Sequence, residues 1–135
     1  MKVLLKIVLF IVALPIVILG LILHTTADGM CGNEVHTEIL SPDNRYKAVI
    51  FQRDCGATTD FSTQISVMKA SAHPPNKSGN IFITRGHPKD FSHQVRWLSN
   101  SELLIEKELS GAEFKAEQSW GRRDKIKVSY VTSES

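Results

Sequence analysis

Signatures of catalysis are scarce in this chain. Its 135 residues contain no G-x-S-x-G elbow, no phosphate-binding glycine loop and no dinucleotide fingerprint, which excludes enzymes that depend on those devices. Charge of one sign is also lacking. With Lys2 and Lys6 set aside, 14 basic residues face 14 acidic ones, so the chain carries no electrostatic footprint for nucleic acid, and no nucleic-acid partner is expected. No repeat of solenoid length and no long amphipathic helix occurs, which leaves short strands as the main building material.

What is present in quantity is one apolar run, opening at Val3, interrupted at Lys6 and closing at Leu23. About 21 residues at roughly 1.5 Å each cover about 30 Å, the thickness of a bilayer hydrocarbon core. Lys6 lies within a turn of the start, where it can snorkel to the headgroups. Pro15 is tolerated in a membrane helix, and a bend is expected over residues 11–15. Lys2 and Lys6 precede the run, whereas Asp28, Glu34 and Glu38 follow it. The N-terminus is therefore expected in the cytoplasm and the remainder in the periplasm or outside the cell. The expected localisation is the inner (cytoplasmic) membrane, spanned once. The alternative is a cleaved signal peptide, with Thr25 and Ala27 as a poor small-x-small site behind an apolar core longer than such peptides usually carry.

Residues 1–27 are thus read as anchor and linker, with the polar stretch 24–33 as the connection, and residues 28–135 as one extracytoplasmic domain. That domain holds both cysteines, Cys31 and Cys55. In an oxidising compartment an even pair reads as a disulfide. It would close a loop of about 25 residues and stabilise by roughly 3 kcal/mol in the chain-entropy model. A reactive thiol at Cys55 is the alternative, with Arg53 as the only local cation to lower its pKa.

Period-two alternation and short apolar runs predict strands at 34–40, 46–53, 63–68, 80–84, 94–98, 102–107 and 125–132. Ser41-Pro42-Asp43-Asn44 joins the first two as a turn, because proline presets φ while Asp and Asn bond their own backbone and tolerate left-handed conformations. Residues 69–79 and 85–91 are expected to be exposed connections, and 112–120 to form one or two helical turns. The fold class is mainly β: an N-terminal transmembrane helix and one small antiparallel domain of about seven strands, a sandwich or half-barrel.

The most distinctive polar segment is 58–64. Thr58, Thr59, Ser62 and Gln64, with Arg53 and Phe61 beside them, are the candidate binding surface, since hydroxyl and backbone donors can cradle a carbonyl or anionic group. The alternative is that these groups satisfy a tight turn and a strand edge. His36, His73, His87 and His93 are the histidines available to a metal in the domain, and His87, Asp90 and His93 lie closest in sequence. Pro88 prevents their helical presentation, so no metal and no cofactor are expected. Arg122, Arg123, Lys125 and Lys127 read as a solvated turn and strand edge, with an anionic-ligand site as the alternative.

Two segments, 41–46 with its following strand and 97–105, resemble hairpins of single β-propeller blades. A chain of this length cannot hold a ring of four-stranded blades, so only hairpin geometry carries over. More specifically, Cys31-Gly32-Asn33-Glu34, SPDNRYKAVIFQRD at 41–54 and the Cys-Gly-Ala-Thr-Thr-containing stretch 55–66 together resemble a family of small bacterial exported or membrane-anchored proteins. The resemblance implies an exported domain with linked cysteines and brings no activity, hence no catalytic residues. The expected function is a binding or interaction module in the bacterial envelope, with an envelope protein as partner. The alternatives are an immunity or inhibitor protein against an envelope-acting toxin or hydrolase, and an enzyme with its site near Cys55, Thr58 and Thr59.

Overall fold

The computed structural model describes residues 1–56, 60–91 and 94–132, with 24–29 described as backbone only. The chain forms two compact units, Met1–Cys31 and Gly32–Ser135.

The first unit is a single helix, α1 (Lys2–Gly29), which runs through Pro15 without a break. Its segment Lys2–Leu23 has a mean hydropathy of 2.9 and no buried residue, and is long and apolar enough to cross a membrane. The polar stretch expected as a linker continues the helix instead, and the first strand opens at Gly32. Extending a formed helix fixes one residue per added hydrogen bond, a far smaller cost than starting one. The connection therefore shrinks to Met30 and Cys31.

The second unit is a two-sheet β domain. One sheet has the order β1 (Gly32–Leu40), β2 (Tyr46–Asp54), β3 (Ser62–Lys69), β4 (Phe82–Arg85) and β7 (Lys115–Ala116). The other has the order β5 (Val95–Ser99), β6 (Glu102–Glu108), β9 (Ile126–Val131) and β8 (Ser119–Trp120). Seven of these strands fall on the segments expected from alternation, with ends shifted by at most two residues. The helical turns expected at 112–120 do not form. Phe114 and Glu117 donate their backbone N–H to the carbonyls of Ile83 and Ile81, at 2.9 and 2.8 Å. This ladder draws the segment along β4 as β7 before it crosses to the second sheet as β8. Because of that crossing, β9 enters beside β6 in the parallel sense, the one parallel pair among the described strands.

The β1–β2 turn forms as its residues dictate. Asn44 takes the left-handed conformation at φ 56°, which Asn tolerates better than most residues. The buried Ser41 hydroxyl donates to Asp43 Oδ1 at 2.7 Å and accepts from the Tyr46 N–H at 3.1 Å. Both cysteines are disulfide-bonded, and as the chain has no others the bond is Cys31–Cys55. These positions extend the antiparallel register by one step beyond the Gly32–Asp54 pair.

Between the sheets lies a core of Tyr46, Ala48, Ile50, Ile65, Val67, Phe82, Val95, Leu103, Ile105, Ile126 and Val128, with neighbours packed around it. Cross-strand partners share a face, so the pairs Ala48–Val67 and Ile50–Ile65 both point inward. Phe82 is fully buried, with the rings of Phe91 and Tyr130 centred 6.2 and 6.0 Å away. Burial also pushes the Tyr130 phenol above its ordinary pKa. Phe82→Ala should cost about 3–5 kcal/mol, the transfer free energy of the ring plus the cavity left behind. Chemical denaturation should show this as a lower midpoint at unchanged slope.

Candidate functional site

Three of the expected binding residues lie on the outer face of the first sheet. Arg53 and Ser62 are cross-strand partners, and Gln64 lies on the same outer face two residues further along β3. Phe61 precedes β3, is half exposed, and accepts the Gly86 N–H at its carbonyl. Thr58 and Thr59 lie outside the described residues.

Arg53, Ser62 and Gln64 form one continuous hydrogen-bonded chain. Arg53 is only 4% exposed and donates through Nη1 to Asn33 Oδ1 at 2.6 Å. Ser62 Oγ donates to the Arg53 carbonyl at 3.3 Å and accepts from Gln64 Nε2 at 2.9 Å. Gln64 Oε1 then accepts the Gly79 N–H at 2.6 Å. Each polar group is thus committed to another part of the chain.

These bonds fasten residues 70–80 across the outer face as a strap. Asn33 holds it at the β1 side, donating through Nδ2 to the carbonyls of Lys77 (2.7 Å) and Pro75 (3.3 Å), while its N–H donates to Asn76 Oδ1. Asn80 holds it at the β3 side, where its side chain accepts the Val67 N–H and donates to the Val67 carbonyl, both at 2.8 Å. The Asn80 N–H also donates to Ser66 Oγ, and Lys115 Nζ donates to the Gly79 carbonyl. No buried side-chain nitrogen or oxygen among the described residues lacks a partner. A buried polar group left unpaired would cost about 1–3 kcal/mol, so a complete set is what keeps such a face stable.

The roles of Asn33, Gly79, Asn80 and Lys115 have almost no local signal in the sequence. Residues 69–79 carry no periodicity, and nothing local says that a turn-like string lies against a sheet. Gly79 is the partial exception. A Cβ there would stand 2.9 Å from the Phe82 carbonyl oxygen, 3.0 Å from that of Ile65 and 3.1 Å from Gln64 Cβ. Glycine in such a string can mark close backbone approach.

Where the strap meets β1 it leaves an open groove of about 320 Å³, lined by Gly32, Asn33, Val35, Phe51, Pro74, Pro75 and Asn76. Val35 presents a 46% exposed side chain there. β1 is the end strand of its sheet, and its edge is partly covered. Asn76 takes the Asn33 N–H, Trp97 Nε1 donates to the Ile39 carbonyl at 2.9 Å, and a bulge interrupts the register between Val35 and Thr37. Bulges and side-chain covers of this kind limit indiscriminate strand pairing.

A second, smaller recess of about 50 Å³ brings Glu34, His36, Gln52 and His87 together. The imidazoles of His36 and His87 meet edge to face at 6.4 Å, a pairing that sequence spacing did not reveal. Among the described residues no three of His, Cys, Asp and Glu are grouped to hold a metal ion, and His93 lies outside those residues. In the disulfide, Cys55 has no thiolate with which to attack a substrate.

Gly79→Ala should lower stability by about 1–3 kcal/mol, because backbone oxygens on both sides must move. Gly32→Ala, with nothing within 4 Å of its added Cβ, should change stability far less. Urea denaturation of the two variants side by side checks the difference. No protein-family model, no curated protein and no solved structure matches this chain.

Proposed function

We propose that the chain is a single-pass membrane protein that displays its disulfide-bonded β domain outside the cytoplasm as a module for binding an envelope protein. The observation that carries the membrane part is the exposure of α1. Its large apolar side chains from Val3 to Leu23 are 47–70% exposed, and a helix that is apolar all round requires either a protein core or lipid around it. Lys2 and Lys6 at one end of the run support a cytoplasmic side for that end. The cysteine pair fits the same side assignment, since disulfides persist in oxidising compartments.

The binding part rests on the groove beside β1. An end strand next to an apolar hollow suits an extended segment of a partner, with the strand edge supplying backbone partners and the hollow receiving a side chain. Val35, Phe51, Pro74 and Pro75 supply the apolar wall, while Asn33 and Asn76 are amides at its rim. An open groove of this kind suits a protein partner better than a small molecule, which needs enclosure on most sides. Anchoring holds the module near the membrane surface and raises its effective concentration for partners there. If the captured partner is a toxin or hydrolase acting on the envelope, the module is an inhibitor.

A photo-crosslinking residue at position 35 of the full-length protein, expressed in its own cells, tests this reading. A discrete envelope-protein adduct is expected, lost when Phe51→Ala empties the wall of the groove. In the same preparation, the cysteines should accept an alkylating reagent only after reduction. Cross-links to lipid alone, or cysteines alkylated without reduction, would contradict it.

A further inference from the structure

The near-neutral charge of the domain conceals an uneven distribution. At the hairpin-turn end of the first sheet, opposite the end at which the chain enters β1, five cations gather around two acids. Arg45 sits in the β1–β2 turn, and Lys69 is the cross-strand partner of Tyr46. Arg122, Arg123 and Lys125 belong to the turn that leads into β9. That turn is fixed to the hairpin by Asp124, whose Oδ2 accepts from the Tyr46 hydroxyl at 2.8 Å and from Arg45 Nη2 at 3.2 Å. Gly121 enters it at φ +91°, where a Cβ would stand 2.6 Å from the Asp124 carbonyl oxygen.

Both acids are already engaged. Asp43 accepts the Ser41 hydroxyl and the Arg45 N–H, and Asp124 is occupied by Tyr46 and Arg45. Lys69, Arg122, Arg123 and Lys125 are all exposed, and none of the four is in an ion pair among the described residues. By contrast, Lys47, Arg96, Lys107 and Lys127 each have a carboxylate partner. Lys77, Arg85 and Lys89 are likewise exposed and outside those ion pairs but stand singly elsewhere in the chain, whereas Arg122, Arg123 and Lys125 share the one turn that Asp124 holds in place.

We propose that this end of the domain is a cationic tip that binds a flexible, phosphate-bearing polyanion. None of the recesses described above is lined by these residues. Two adjacent guanidiniums with two ammoniums nearby suit successive phosphates along a chain, because each arginine presents a planar fork to phosphate oxygens. The proposal is independent of the groove at β1, whose β1 residues Gly32, Asn33 and Val35 lie at the other end of the β1–β2 hairpin.

The test uses the full-length protein in nanodiscs of zwitterionic lipid, with long-chain inorganic polyphosphate as the probe. Four released counterions give an expected slope of about −3 for log affinity against log salt, or about a 50-fold loss between 50 and 200 mM. Arg122→Gln with Arg123→Gln should halve the slope and weaken binding at least about tenfold, leaving the melting temperature unmoved because both side chains are exposed. Arg96→Gln, which removes a cation already paired with Glu106 at 2.6 Å, should bind as the parent does. The proposal fails if polyphosphate does not bind, if the double variant binds unchanged, or if Arg96→Gln weakens binding equally. It fails also if inorganic phosphate competes as well per phosphate, which would mark a single-anion site. Binding to phosphatidylglycerol vesicles under salt conditions that abolish polyphosphate binding would reassign the tip to a membrane surface.

Discussion

β2 and β3 are buried on both faces, while the second sheet covers only one of them. On the inner side Ala48, Ile50, Ile65 and Val67 meet the second sheet's apolar residues. On the outer side Lys47, Val49, Phe51, Arg53, Gln64 and Ser66 are also removed from water, and among the described residues no third sheet lies over them. Residues 70–80 supply the cover with few apolar side chains of their own, so hydrogen bonds must do what interdigitating methyl groups do in the core. Asn33, Arg53, Ser62, Gln64 and Asn80 act as one set for this reason. A buried polar surface is stable only when it is completely paired.

Several features of the domain follow from that requirement. The Cys31–Cys55 bond sits one step beyond the last β1–β2 pair and holds the end of the hairpin from which Asn33 and Arg53 reach toward the strap. Lys47, at the other end of the same face, is buried against Glu38 at 3.0 Å, so its charge is compensated rather than stranded. The second sheet's outer face is governed differently. Glu102 accepts from Ser129 and pairs with Lys127, and the Ser129 hydroxyl bond first, then Lys127, holds its carboxyl below the ordinary range. That face is solvated and polar. The groove beside β1 and the cationic tip are the two places where the surface departs from this pattern, one apolar and concave, the other charged and unpaired.

Period-two alternation and short apolar runs were enough to find the seven longer strands, and one long apolar stretch the helix, because each of those signals lies in consecutive residues. The 41–44 turn was legible for the same reason, down to the left-handed Asn44. What the sequence concealed depends on contacts far apart in the chain. β7 and β8 are two residues each: β7 is held by the carbonyls of Ile81 and Ile83, and β8 by its pairing with β9. The parallel entry of β9 is a consequence of that crossing, with no local sign of its own. The polar stretch after Leu23 read as a linker, yet the helix extends through it to Gly29. Arg53, Ser62 and Gln64 were singled out for their polarity, and they do lie together on one face, but their groups bond to Asn33, to one another and to Gly79 of the strap. Polarity alone does not distinguish a residue that offers hydrogen bonds to a ligand from one that has used them internally.

Amide hydrogen exchange on the full-length protein in nanodiscs addresses the polar strap most directly. If the strap is an integral layer, the N–H groups of Gly79 and Asn80, bonded to Gln64 Oε1 and Ser66 Oγ, should exchange with the slow amides of β2 and β3, in one cooperative unit. If they exchange at the rate of free chain while β2 and β3 remain protected, the outer face is stable without its cover, and the strap is only a loop that lies against it.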